Sequence, residues 1–170
     1  MEGSDYKFLV LADYCSVVCD GLHVKRGDLM LKMLLPVDGS EASQRAVEEF
    51  VKRLDWYRER PDIHLLNVRI PLTGNVSMFV SKEEIGDYYR EEGLKGLQQA
   101  RDHLEEKGVA YRHHIVVGEI VPMILQFSEE IKCDQIIIGP RGLGAVKGLL
   151  LGSVANKLIQ LSTVPVLLLK

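Results

Sequence analysis

From Leu31 to Leu169 the sequence alternates short apolar runs with segments of helical period, and that alternation constrains the fold more than any other feature. Leu31–Val37, Ile63–Val68, Tyr111–Val117, Gln135–Ile138 and Val166–Leu169 are runs of strand length. Between them, apolar residues recur three and four positions apart: Ala46, Val47, Phe50, Val51 and Leu54, then Ile85, Tyr89, Leu97, Ala100 and Leu104. Ile124, Phe127 and Ile131 mark a third helix, and Val154, Ala155, Leu158 and Leu161 a fourth. Ser40 is placed to cap the first helix, Ser81 and Glu84 have capping-box spacing at the second, and Pro122 suits an early position of the third. Gly93 and Gly96 weaken the middle of the second helix. Crossover helices must pack back onto their sheet, so the pattern predicts an α/β chain with one open, five-stranded parallel sheet covered by helices on both faces, Rossmann-like in plan. Pro36 cannot donate to a ladder and is expected at the carboxyl end of its strand.

The 170 residues suffice for one sizeable core, so a single domain over 31–170 is expected, preceded by an extension over 1–30. Residues 8–18 have no clean period. Two readings of the extension follow: a dispensable leader ahead of Met30, or an added strand or helix packed on the domain. A net charge of −3, with Lys and Arg interspersed among Glu, gives no attraction for a phosphate backbone, and no nucleic-acid partner is expected. No apolar stretch is long enough to span a bilayer, so no membrane partner is expected either. Three cysteines, with Cys133 far from Cys15 and Cys19, are poor material for a disulfide framework, and an acidic N-terminus is a poor signal peptide. These features together read as a cytoplasmic chain. Cys15, Cys19 and His23 could line one helix face, but they match no common zinc pattern and no fourth ligand is evident; packed thiols are the plainer reading and no metal is expected. His113 and His114 must point to opposite faces of one strand, which gives them a structural role.

In an open parallel sheet the ligand crevice lies beyond the carboxyl ends of the strands. The first predicted strand runs there into Val37-Asp38-Gly39-Ser40, and the fourth into a glycine-rich stretch from Gly139 to Gly152 that leads to Ser153 and the last helix. Gly139, Gly142 and Gly152 let backbone approach a ligand closely, and the N-terminus opened by Ser153 can hold an anion. Arg141 and Lys147 add cationic side chains. Glycines also mark ordinary turns, and Asp beside Gly-Ser is ordinary turn chemistry, so by spacing alone both readings stand.

Gly139-x2-Gly142-x9-Gly152-Ser153 resembles the G-x2-G-x9-G-[ST] signature of the ATP-binding universal stress proteins. Val37-Asp38-Gly39-Ser40, Gly118 and Thr163-Val164-Pro165-Val166-Leu167 are similar to further motifs of that family, in the same order, and the resemblance covers residues 31–170. It implies a strand order of 3-2-1-4-5, counted from the Leu31–Val37 run, and ATP as ligand, possibly with Mg²⁺. Asp38 would contact the nucleoside, Val68 would offer backbone groups to adenine, and Gly139 would lie against the ribose. Gly142, Gly152 and Ser153 would hold the phosphates, with Arg141 nearby. It further implies a homodimer through the C-terminal strand. Pro140 departs from the Ser or Thr common at that position and removes a hydroxyl and a backbone donor. No P-loop G-x-x-x-x-G-K-[ST] is present, so the chain reads as a nucleotide-binding regulatory module rather than an enzyme. Slow ATP hydrolysis at the same site, with His64 as a remote base, is one alternative. A scaffold of the same fold that binds no nucleotide is the other.

Overall fold

The computed structural model describes residues 11–13, 30–72, 81–142 and 151–170. The elements run β1 (Leu11–Asp13), β2 (Lys32–Pro36), α1 (Glu41–Val51), a 3-10 turn (Leu54–Trp56), β3 (Asp62–Arg69), α2 (Lys82–Glu106), β4 (Arg112–Val117), α3 (Ile120–Glu130), β5 (Gln135–Ile138), α4 (Ser153–Leu161) and β6 (Val166–Leu168). The caps named from sequence hold the helix starts. Ser40 Oγ accepts from the Ser43 N–H at 3.2 Å, and Ser81 with Glu84 forms a reciprocal capping box.

The sheet order is β1-β4-β3-β2-β5-β6. The five strands from β2 onward are parallel and, counted from β2, follow the order 3-2-1-4-5. β1 adds a sixth strand from the extension, antiparallel to β4 with Leu11 opposite Ile115 and Asp13 opposite His113. These three residues are the described part of the extension before Met30. β6 pairs with β5 on one side only among the described residues.

Side-chain alternation along the strands divides the core in two. Met33, Leu35, Ile63, Leu65 and Ile115 face one way and bury Ala46, Val47 and Phe50 of α1 with Leu97, Ala100 and Leu104 of α2. Leu34, Leu66, Val116, Ile136 and Ile138 face the other way, against Val121, Ile124 and Phe127 of α3 and Ala155 and Leu158 of α4. Complete burial of each such side chain contributes roughly 1.5–3 kcal/mol, which fixes the strand register wherever both faces are covered. Pro36 ends β2, where the ladder to β3 is itself ending.

The two helix glycines mark where α2 comes closest to the sheet. A β-carbon on Gly93 would meet the Ile115 side chain at 2.6 Å, and one on Gly96 would meet Asn67 Nδ2 at 2.7 Å. The helix gives up propensity there in exchange for close approach. No helix among the described residues is long and apolar enough to cross a membrane.

Candidate functional site

β2 and β5 are neighbours in the sheet, so the segments that follow them, from Val37 and from Gly139, leave side by side. Gly39 turns the chain with φ +82°, and Asp38 Oδ1 accepts from the Ser40 N–H at 3.0 Å, fixing the carboxylate at the turn. Asp38 Oδ2 faces Gly142: a β-carbon built on Gly142 would overlap that oxygen. Gly139 is held as tightly, since a β-carbon there would lie 2.5 Å from the Ala42 carbonyl oxygen. The structure thus sets Gly142 against Asp38 and Gly139 against the first turn of α1, and each glycine stands where a larger residue does not fit.

Gly152 joins them through its N–H, which donates to the Pro140 carbonyl at 2.7 Å and brings the start of α4 against the Pro140–Gly142 backbone. Ser153 opens α4, as expected from the sequence. Gly152 is the N-cap and Ser153 is the first helical residue, with no side-chain cap bond. Its hydroxyl and the first-turn amides therefore stand at the positive end of a nine-residue helix. Arg141 is exposed and lines a cleft of about 240 Å³ with Ala42, Arg45, Pro140 and Lys170, to one side of the crevice. Lys147 lies outside the described residues, as do Cys15, Cys19 and His23.

Val68 sits at the carboxyl end of β3 with its side chain against the α3–α4 core. β2 pairs with β3 only as far as Pro36 opposite Leu66 and the Val37 N–H to Leu66 carbonyl bond at 2.8 Å. The alternation of a parallel ladder turns the backbone groups of Val68 to this same side, one rung past the end of the pairing.

Sequence reasoning missed Asn67. It is 1% exposed, its Nδ2 donates to the Val37 carbonyl at 2.7 Å, and its Oδ1 is buried with no partner among the described residues. The signal was a lone amide inside the apolar run Leu65-Leu66-Asn67-Val68. A cleft of about 370 Å³ does not coincide with the contact between Asp38 and Gly142. It lies between α1 and α2, lined by Ser43, Gln44, Lys95 and Gly96, and touches the Asp38 turn only at Val37 and Gly39.

His64 lies near the amino end of β3, opposite Leu34 of β2, about 13 Å along the strand from Val68. It is 3% exposed, with Nδ1 3.0 Å from His114 Nε2 and Nε2 3.2 Å from Asp62 Oδ2. That removes it as a base for chemistry at the carboxyl end. His114 packs on Phe127 and His113 beside Tyr111, on opposite faces as the strand period requires. Burial pushes the Cys133 thiol up, which keeps it an inert packed group.

The family model described as "Universal stress protein family" matches residues 30–170. Universal stress protein YxiE of Bacillus subtilis is 32% identical over 145 residues, which cover 82% of this chain and 98% of the relative. The solved structure of MJ0577, a protein of Methanocaldococcus jannaschii, superposes with a TM-score of 0.65 at 28% identity, covering 82% of this chain and 95% of that one. A universal stress protein solved in complex with cAMP superposes with a TM-score of 0.62 at 24% identity, over 82% of this chain and 97% of its own.

Proposed function

Because this chain belongs to the universal stress protein family, we propose that it is a regulatory module that binds an adenine nucleotide, ATP, in the crevice between the segments that follow β2 and β5. The observation that carries this reading is the apposition of Asp38 Oδ2 to Gly142 while Gly152 bonds to Pro140. One carboxylate and one helix N-terminus thus lie against the same short stretch of backbone, Pro140–Gly142. A nucleotide needs those two features at its two ends: an acceptor for the nucleoside and donors for the phosphates.

In this reading Asp38 accepts from the nucleoside, Val68 offers backbone groups to adenine, and Gly139 admits the ribose edge. The backbone at Gly142 and Gly152 and the first turn of α4 at Ser153 take the phosphates, with Arg141 supplying positive charge from the rim. Mg²⁺ would bind through phosphate oxygens. The family fold neighbour solved with cAMP supports the class of ligand by analogy of fold, and the geometry of this chain supports the placement.

Binding without efficient turnover fits the residues. Hydrolysis needs a base near the attacking water, and the base suggested by sequence, His64, is committed to Asp62 and His114 at the other end of the sheet. Mass action at a free ATP concentration a hundredfold above Kd stabilises the native chain by about 2.7 kcal/mol. A melting temperature that rises with millimolar ATP, with no phosphate released over hours, is the expected result. An unmoved melting temperature overturns the reading, and steady phosphate release replaces it with a slow ATPase.

A further inference from the structure

We propose that Asn67 is a positioning residue for the nucleotide crevice: its side-chain amide takes the place of the next rung between β2 and β3, holding the Asp38 turn in place and leaving the Val68 backbone open to the ligand. The inference rests on the nucleotide reading above for its function, but its geometry stands independently of it.

In a parallel ladder that continued past Leu66, the Val68 N–H would donate to the Val37 carbonyl. That carbonyl accepts from Asn67 Nδ2 at 2.7 Å, and the strand pairing ends one residue earlier, at Pro36 opposite Leu66. Asn67 therefore satisfies the last carbonyl of β2 from within β3, and the two chains can part at that point without leaving a buried acceptor unpaired. The residue after the held carbonyl is Asp38, and Gly39 completes the turn with φ +82°.

Asn67 in turn is held by α2. A β-carbon on Gly96 would meet its Nδ2 at 2.7 Å, and one on Gly39 would meet the Gly96 Cα at 3.3 Å. The Asp38 turn, the Asn67 amide and α2 thus touch in series, and Gly96 leaves the room for it. The site-facing result is that one amide sets where the carboxylate stands and keeps the adenine-side backbone of Val68 unpaired with β2.

Hydrogen exchange and ATP titration on the full chain test this, using Asn67→Leu and Gly96→Ala. The first removes the amide; the second leaves it in place but pushes it with a methyl group. In the unsubstituted chain the Val68 amide should exchange much faster than that of Leu66. In Asn67→Leu the Val37 carbonyl is left for the Val68 N–H, the rung closes, and Val68 becomes more protected. A purely structural loss would lower protection throughout and could not raise it at one amide.

Both variants should bind ATP roughly tenfold more weakly, the equivalent of one hydrogen bond in a buried site. Asp38→Ala combined with Asn67→Leu should lose less than the sum of the two single variants, because the amide acts through the turn that carries the carboxylate. The positioning role is overturned if Val68 is already as protected as Leu66 in the unsubstituted chain, or if Gly96→Ala and Asn67→Leu both bind ATP with unchanged affinity. If the exchange pattern is as expected and the unsubstituted chain takes up no ATP, the nucleotide reading fails while the strand-parting role of Asn67 stands.

Discussion

The two ends of the sheet carry opposite kinds of polarity. At the amino end the polar groups are large and titratable: Asp62, His64, His114 and Arg112 converge, with the two imidazole rings within 9° of parallel and their centroids 5.1 Å apart. At the carboxyl end one carboxylate, Asp38, and one amide, Asn67, stand among glycines, and the Arg69–Glu92 ion pair lies at the end of β3. The amino-end groups lie against one another. Burial opposes the charge on Asp62, but the His64 contact and the positive charges of Arg112 and Lys32 outweigh it and hold the carboxyl below its usual range. His64 Nε2 lies 3.2 Å from Asp62 Oδ2, and His64 Nδ1 lies 3.0 Å from His114 Nε2, a contact in which one ring donates and the other accepts. The titratable side chains at the amino end therefore form an internal network, and the nucleotide site proposed above lies at the other, glycine-rich end.

The strongest way to break this contrast is to place a side chain where Gly142 meets Asp38. In Gly142→Val the added side chain takes the volume beside Asp38 Oδ2, so the stabilisation of about 2.7 kcal/mol expected at a hundredfold excess of ATP should vanish while the chain still folds. Thermal melting with and without ATP checks it. A variant that melts cooperatively and still shifts with ATP would place the ligand elsewhere.

A smaller effect is expected at the amino end, and it should appear in stability alone. Burial, helped by the neighbouring His64, His113 and Arg112, pushes His114 down to about 4. The unfolded chain carries this histidine at its ordinary value of about 6.5, so between about pH 6.5 and 4 the unfolded state binds more protons than the native state. Stability therefore rises with pH through that window and is lost on acidification, by an amount on the order of 2 kcal/mol. His114→Gln keeps a hydrogen-bond partner for His64 Nδ1 and removes the titration. Denaturant unfolding at several pH values should show a flatter slope over that window in the variant, with ATP affinity at pH 7 unchanged. An undiminished slope would assign the acid sensitivity to other groups.

The difference between the two ends also explains what the sequence could and could not disclose. The strands, both core faces and the Ser40 and Ser81 caps follow from apolar period and local capping chemistry, which are written in neighbouring residues, whereas the strand order came from the family resemblance alone. Asp38 and the glycines were legible because turns and close approaches restrict residue type locally. Asn67 was not singled out, because its meaning depends on where β2 stops, thirty positions earlier in the chain. Gly93 and Gly96 read as weaknesses of a helix until the strands beneath α2 are in place.

The smallest effect is expected from the extension, and it separates the two ends once more. β1 pairs with His113, His114 and Ile115 on the outer side of β4, and β4 and β3 both stand between it and β2. At about 4.8 Å per strand, β1 is roughly 14 Å across the sheet from the strand that leads to Asp38. Removing residues 1–29 takes away a three-residue strand whose pairing covers the backbone of the histidine strand. Water then reaches that strand, so the charged form of His114 is disfavoured less and the slope of stability with pH should flatten slightly. ATP affinity should stay within about twofold, because nothing described in β1 reaches Asp38, Gly142 or the start of α4. Calorimetric titration of residues 30–170 beside the full chain decides the matter: a tenfold loss of affinity would bring the extension into the site, and equal affinity with a flatter acid slope would confine its influence to the amino-end network.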